Sequence, residues 1–336
     1  VKLVNCDIGR FANGEVRIKG IEKSMRGNTA YVIFSVGKNL NEDMVEAMIL
    51  CDTIKGSSAN KVVLVVPFYP YARQDKKTKG REPISAKWVA KVFEASGVDA
   101  IITVDLHNEA IQGFPNCPLD NLTAVPLFAE TIIDSHIVPY IEKYGEDKKS
   151  DFIVVSPDAG GAERANKLAN KLGLDMCMIY KHRDKPNEVA SMELNGNVDG
   201  KIALIIDDMV DTCGTLKKAV VTLREKGAKE IYAFATHGPL SGKAIENIES
   251  APLDKLYITN TMNLYDKIEC KKIKVISISK LLAVAIVRHS MNKSLSKLFY
   301  LNKDQIDNEL DRFIVSPIPE NNEEERELLK AELKRE

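Results

Sequence analysis

Asp207, Asp208, Asp211, Thr212, Cys213, Gly214 and Thr215 gather carboxylates, hydroxyls and a glycine into one short stretch. The apolar run before them, Ala203-Leu204-Ile205-Ile206, suits a buried parallel strand. After them, Leu216 to Lys226 reads as a helix with Val220, Val221 and Leu223 on its apolar side. A strand, a loop with a glycine and hydroxyls, and a helix together aim backbone N–H groups and a helix N-terminus at one spot. That spot attracts a phosphate. Asp207 and Asp208, at the end of the strand, can accept hydrogen bonds from paired sugar hydroxyls, because an ionised carboxylate only accepts. The same residues also satisfy a plainer description, an acidic strand-to-helix turn with Asp211 or Thr212 as its N-cap.

Other stretches carry chemistry of the same kind. Pro70-Tyr71-Ala72-Arg73-Gln74-Asp75-Lys76-Lys77-Thr78-Lys79-Gly80-Arg81 is basic and follows the apolar strand Val62 to Val66. A basic run is commonly a solvated loop, but at the end of a core strand it stands where α/β proteins hold ligands, a candidate anion site. His107 follows Asp105 at the end of Ile101 to Val104 and reads either as a metal ligand or as a hydrogen-bonded structural histidine. Asp158 lies in Ser156-Pro157-Asp158-Ala159-Gly160-Gly161, whose small residues let backbone approach a ligand. Phe11, Asn13 and Glu15 alternate in FANGEVRIKG, which reads as a hairpin turned at Asn13-Gly14 or as a stacking ring with polar partners.

The elements that must position these residues repeat. Tyr31 to Phe34, Val62 to Val66 and Ile101 to Val104 read as strands. Asn41 to Ile54 reads as a helix with Met44, Val45, Met48, Ile49 and Cys51 as its stripe, and Ile84 to Ser96 as a helix in which Trp88 packs. Asp120 to Pro126 reads as a connection, after which the pattern restarts. Phe152 to Val155, Cys177 to Tyr180, the stretch before Asp207, Tyr232 to Ala235, Leu256 to Thr259 and Val275 to Ser277 make a second sheet, closed by a helix over Ile278 to Val287. The spacing predicts two α/β domains with parallel sheets, residues 1–125 and 126–300, and a polar tail over 301–336. In that tail Asn322 with Glu325 caps a short helix.

Composition bounds the rest. With 336 residues, 44% hydrophobic and 28% charged, the chain is an ordinary globular protein of two-domain size. A net charge of −1 gives no global field for nucleic acid or an anionic membrane. No apolar run approaches the roughly 20 residues that span a bilayer. The 6 cysteines form no CxxC pair, so neither a zinc site nor a disulfide framework is expected, and a reduced cytoplasmic setting is. GNVDGKI and GPLSGKA miss the Walker A spacing, and no G-x-G-x-x-G follows a strand. Any ATP is held by something other than a P-loop.

DDMVDTCGT resembles the phosphoribosyl-pyrophosphate (PRPP) loop shared by type I phosphoribosyltransferases and PRPP synthetases. FANGE, PYARQDKK, REPISAK, DLHNEAIQGF, PLDNLTAVP, VSPDAGGAER, KHRDKPNEV, DDMVDTCGT and THGPLSG, in this order, are similar to the phosphate-dependent PRPP synthetase (ribose-phosphate pyrophosphokinase) family. The resemblance runs from about Val4 to Phe299. It implies two tandem phosphoribosyltransferase-like domains, each a mostly parallel sheet flanked by helices. The implied reaction transfers the β,γ-diphosphoryl group of Mg·ATP to the anomeric hydroxyl of ribose 5-phosphate.

By this resemblance, Asp207, Asp208, Asp211, Thr212, Cys213, Gly214 and Thr215 hold ribose 5-phosphate. Arg73, Gln74, Asp75 and His107 contact ATP, and Phe11, Asn13 and Glu15 bind its adenine across a dimer interface. His107 and Asp158 align with ligands of Mg2+, for which Mn2+ can substitute. Lys181 and Arg183 align with a catalytic loop that closes over the substrates. The family implies dimers assembled into a hexamer, with no nucleic-acid or membrane partner. The chain departs from the pattern at its start, where Val1 lies downstream of the family's usual first strand and helix, so an incomplete first domain is expected. It also departs at Gly80 and Glu109, which stand where many members line an anion-binding regulatory site with serines; Arg26 and Gln112 belong to that set. A carboxylate at Glu109 is expected to repel phosphate and weaken that regulation. Two rival readings carry the same fold, a type I phosphoribosyltransferase and a non-catalytic PRPP-synthetase-associated subunit.

Overall fold

A two-stranded antiparallel hairpin, β1 (Cys6–Arg10) with β2 (Val16–Ile21), comes first and turns at Gly14, whose φ of +90° suits glycine. The computed structural model describes residues 3–182, 191–263, 269–300, 305, 306 and 308, with the side chains of Lys181, His182 and Ser191 left out. Two compact units make up the chain, Val1–Ile278 and Ser279–Glu336.

In the larger unit, β3 (Thr29–Ile33), α1 (Leu40–Gly56), β4 (Lys61–Val65), α2 (Ser85–Ala95), β5 (Ala100–Val104) and β6 (Leu119–Leu122) build the first sheet. Its strands run parallel in the order β3-β4-β5-β6. The apolar runs of β4 and β5 are buried because a parallel sheet is covered on both faces. Three expectations are corrected here. Leu119–Leu122 is an edge strand rather than a connection: its backbone pairs with β5 although Asp120 and Asn121 carry no strand signal. On α1 the buried stripe is Met44, Ala47, Met48, Cys51 and Ile54, while Val45 and Ile49 face outward. Trp88, expected to pack, is 52% exposed and meets Tyr71 edge-on.

The second series begins with α3 (Val125–Ile132), a π-helical turn and α4 (Val138–Tyr144), none of which was expected. Pro139 near the start of α4 donates no N–H, and the wide turn accommodates that gap. Then follow β7 (Phe152–Ser156), α5 (Ala162–Leu172), β8 (Asp175–His182), β9 (Ser191–Asn195), β10 (Ile202–Met209), α6 (Gly214–Glu225), β11 (Glu230–His237), α7 (Ala244–Ser250), β12 (Lys255–Thr259) and β13 (Ile273–Ile276). The sheet order is β13-β12-β11-β10-β7-β8-β9, parallel except for β9, which runs antiparallel to β8.

From β7 the chain winds outward to β8, and from β10 it winds the other way to β11. The crevice between the C-terminal ends of β7 and β10 is therefore a topological switch point, where open α/β sheets bind ligands. Both expected tandem parallel sheets are present, each flanked by helices, with their own apolar cores. The smaller unit contributes α8 (Ser279–Ser290) and a short turn over Ser296–Phe299. The helix expected near Asn322 lies outside the described residues.

Phe128 of α3 is fully buried against Phe234 of β11 at 5.7 Å between ring centroids. Phe128→Ala should lower unfolding free energy by about 3–5 kcal/mol in urea titrations, the usual effect of emptying an aromatic core site.

Candidate active site

Each wall of the crevice owes its chemistry to where a strand stops. Asp207 and Asp208 lie at the end of β10, as expected, just before its last residue, so backbone pairing with β11 fixes their direction. Asp208 is buried, its N–H donating to Asp207 Oδ1 at 2.9 Å. Its own Oδ2 accepts from His107 Nδ1 at 2.8 Å, and Arg164 Nη1 lies 3.8 Å from Oδ1. Burial alone would raise Asp208, but the His107 hydrogen bond and the Arg164 guanidinium outweigh it and hold the carboxyl at about 2. Burial, with the Asp208 carboxylate beside it, pushes Asp207 well above the usual carboxylate range. Two adjacent carboxylates in one enclosed place do not both ionise easily. The hydrogen bond to Asp208 raises His107 in turn.

Asp158 begins the turn after β7; its Oδ1 accepts from Gly161 N at 3.1 Å, and its charge is felt by Asp207. The first sheet contributes from the opposite side. Arg73 Nη1 donates to Asp211 Oδ2 at 2.8 Å, and Asp75 Oδ2 accepts from Asn108 Nδ2 at 2.6 Å, next to His107. Alternate residues of one segment thus reach the Asp211 loop and the His107 turn. Gln74 is exposed and its N–H donates to Tyr71 O at 3.0 Å. Beyond it, Glu82 Oε2 collects Thr78 N, Thr78 Oγ1 and Lys79 N, so the basic run Lys76 to Arg81 is a solvated turn organised by one carboxylate.

The loop after β10 leads into α6 at Gly214. Cys213 is the N-cap, left-handed at φ +58°, and no side chain caps the helix. Asp211 and Thr212 are therefore not the N-cap; backbone turns the corner instead. Thr212 O accepts from Asn247 Nδ2 at 2.9 Å, and Asp211 O from Ser241 N at 3.1 Å, so α7 and the GPLSG turn hold the loop from behind. Thr215 starts the first turn of α6 beside Gly214.

Other expected residues lie apart from this cluster. Phe11, Asn13 and Glu15 form the exposed hairpin tip, where Asn13 Oδ1 accepts from Glu15 N at 3.2 Å and Arg17 lies over the Phe11 ring. Glu109 pairs with Lys167 of α5 at 2.9 Å, so a cation faces the charge expected to repel phosphate. Gln112 Nε2 donates to Glu109 O at 3.2 Å on the same short turn. Arg26 bridges Ala59 through backbone, and Gly80 sits on the exposed loop with open space at its Cα. Lys181 is a backbone partner of Met192 on β8, and Arg183 lies outside the described residues.

A model of the N-terminal domain of ribose phosphate pyrophosphokinase matches residues 1–97, and a phosphoribosyl synthetase-associated domain matches 182–300. Ribose-phosphate pyrophosphokinase A of Dictyostelium discoideum is 45% identical over 299 residues, 88% of this chain and 90% of that protein. The chain belongs to the ribose-phosphate pyrophosphokinase family. The pyrophosphokinase of Bacillus subtilis is 41% identical, covering 89% of this chain and 90% of its own length. A crystal structure of phosphoribosylpyrophosphate synthetase from Mycobacterium smegmatis superposes with a TM-score of 0.78 at 38% identity, over 87% of this chain and 92% of that one.

Motif reading in this pyrophosphokinase-family chain passed over Arg164. It sits two residues into α5, in the first turn, with its side chain 15% exposed. The signal was available, since an arginine just inside a helix start works against the helix dipole and needs another partner. Asp208, depressed below its unfolded value, adds stability that is present above the ordinary carboxylate pKa of about 4 and is lost as pH falls towards about 2. Arg164→Gln removes one of the opposing charges, so Asp208 should titrate higher. The acid-unfolding midpoint, followed by circular dichroism, should then move to higher pH. An unmoved midpoint would mean that the guanidinium does not act on Asp208.

Proposed function

We propose that this chain itself catalyses the family's diphosphoryl transfer, from ATP to the C1 hydroxyl of ribose 5-phosphate, giving PRPP and AMP. The observation that carries this reading is a pair of contacts. His107 to Asp208 and Arg73 to Asp211, both at 2.8 Å, join the motifs of the first sheet to the sugar-phosphate loop of the second.

The ribose phosphate would sit on the loop Asp211, Thr212, Cys213, Gly214 and Thr215, at the entry to α6, where backbone N–H groups and the helix dipole favour an anion. Asp207 and Asp208 would take the sugar hydroxyls. Arg73, with Gln74 and Asp75 beside it, would receive the ATP phosphates. Its present ion pair with Asp211 is exposed at the arginine and so weak, which lets a polyphosphate displace it. Phe11, Asn13 and Glu15, exposed on the hairpin, would bind adenine for a neighbouring subunit, in dimers assembled into a hexamer. Residues 1–125 would then serve the nucleotide and residues 126–300 the sugar. The setting we propose is cytoplasmic, with no helix among the described residues long and apolar enough to cross a membrane.

His107 and Asp158 suit a Mg2+ ion, with Mn2+ as a substitute. Asp208 Oδ2 accepts a hydrogen bond from His107 Nδ1–H, which orients the ring and would leave Nε2 for a metal, as carboxylate–histidine pairs do. Among the described residues no group of three or more His, Cys, Asp or Glu forms a full cage, so water and phosphate oxygens would complete the coordination. When bound, such an ion neutralises phosphate charge. Lys181 and Arg183 would stabilise the negative charge that spreads over the transferred group, while Arg73 holds the phosphates in line. Gly80, Glu109, Gln112 and Arg26 would form a regulatory anion site whose response to phosphate is altered by the Glu109–Lys167 pair.

Phosphorus NMR of the protein with ATP, ribose 5-phosphate and Mg2+ should show a diphosphoryl group attached at C1 rising together with AMP. Lys181→Ala should lower kcat on the order of 10²–10³-fold. A protein that makes no AMP under these conditions is not the enzyme proposed.

A further inference from the structure

The motif Thr236-His237-Gly238 was given no part in the reaction just described, yet it is an enclosed polar group near the site. Thr236 and His237 end β11 and are buried at 0% and 2% exposure. Thr236 Oγ1 donates to Asp105 Oδ2 at 2.6 Å, across from the second sheet to the first. The same oxygen of Asp105 accepts from Ala124 N at 2.9 Å. His237 Nε2 lies 3.0 Å from Val104 O and 3.1 Å from Asp105 O, and its Nδ1 lies 2.9 Å from Thr261 Oγ1. The edge of Phe68 packs on the ring at 5.1 Å.

The contacts and the burial together set the histidine's chemical form. Both carbonyls facing Nε2 can only accept, so Nε2 carries a proton. Nδ1 is then the acceptor of the Thr261 hydroxyl, and Thr236 O is still served by Thr259 Oγ1 at 2.6 Å. Neutral imidazole in a single tautomer satisfies every group, and burial also disfavours the charged form.

What the histidine holds is unusual. Asp105 has φ +42°, a left-handed backbone that non-glycine residues adopt at a cost on the order of 1–3 kcal/mol. Such a conformation persists only where surroundings impose it, and here they include the Thr236 hydroxyl and the His237 ring beside Leu122 O and Ala124 N of its own sheet. His107 stands two residues further on. On its main-chain side, His237 O accepts from Val210 N at 2.9 Å, which ties down the start of the Asp211 loop. One residue therefore grips the His107 turn through its ring and the sugar-phosphate loop through its backbone.

We propose that His237 and Thr236 are positioning residues that set the His107 side of the site against the Asp208–Asp211 side, His237 acting as the neutral Nε2–H tautomer. The proposal rests on the diphosphoryl transfer given above. Neither residue touches substrate, so its loss moves the two half-sites relative to each other without emptying either.

Two isosteric pairs test it, with kcat, both KM values and long-range ¹H–¹⁵N spectra of the 5 histidines as readouts. Thr236→Val removes the hydroxyl and keeps the shape, and Thr236→Ser keeps the hydroxyl. His237→Phe removes the donor, and His237→Gln offers an amide in its place. Thr236→Val and His237→Phe should lower kcat by about 10- to 100-fold, as expected of displacement near 1 Å. KM for ribose 5-phosphate should stay within about threefold, since the sugar loop keeps its own supports. Thr236→Ser and His237→Gln should recover most of the loss. In the unsubstituted protein one histidine should show the fixed Nε2–H pattern. The His107 ring shifts should move in Thr236→Val and not in Thr236→Ser.

Unchanged kcat in both disruptive variants would overturn the proposal. So would a loss that serine and glutamine do not restore, or His107 shifts indifferent to Thr236→Val. If His237→Phe does not fold, the Thr236 pair decides. If the unsubstituted protein makes no PRPP, the reaction is misassigned, and the spectra still decide whether Thr236 positions His107.

Discussion

A buried joint between two sheets carries the site. The Asp105 carboxylate, 7% exposed, receives donors from its own sheet and from Thr236 of the other, while the His237 ring caps the carbonyls that end β5. A carboxylate in such a place is tolerated only with its hydrogen bonds made, so loss of one donor leaves a desolvated oxygen uncompensated. This dependence makes the joint specific. Apolar packing alone would let one sheet slide on the other, whereas directional bonds at 2.6–3.1 Å do not.

With the joint set, electrostatics follows. Asp158, Asp207, Asp208 and Asp211 converge around one crevice, and like charges there would drive the strands apart or take up protons. The protein answers with partners from separate elements: the His107 ring from the turn after β5, and the cations Arg73 from the segment after β4 and Arg164 from α5. The remaining excess is met by raising Asp207.

Helix α5 links two regions that read as separate along the chain. Arg164 faces Asp208, and one turn later Lys167 pairs with both Glu163 and Glu109. Residues three apart lie on adjoining faces of a helix, so one rigid element carries both the Glu109 and the Asp208 contacts.

The sequence by itself determined the strand series and the chemistry of the motifs. Strands such as Val62–Val65 are wholly apolar because both faces are covered, and that needs no partner to be read. The apolar run before DDMVDTCGT and the helical period after it mark a strand-to-helix connection, which β10 and α6 provide. Elements whose signal is weak locally escaped: β6, with Asp120 and Asn121, is a strand only because β5 offers it a ladder, and the stripe of α1 is rotated by what it packs against. Which motifs meet was decided by tertiary structure alone. Asp105 and Thr236 are 131 positions apart, and His107 and Asp208 are 101. No local period encodes such a pairing. It arises when the ends of β5, β7, β10 and β11 are brought to one place by the winding of two sheets, and there a threonine and a histidine that look like ordinary strand residues become the bond between them.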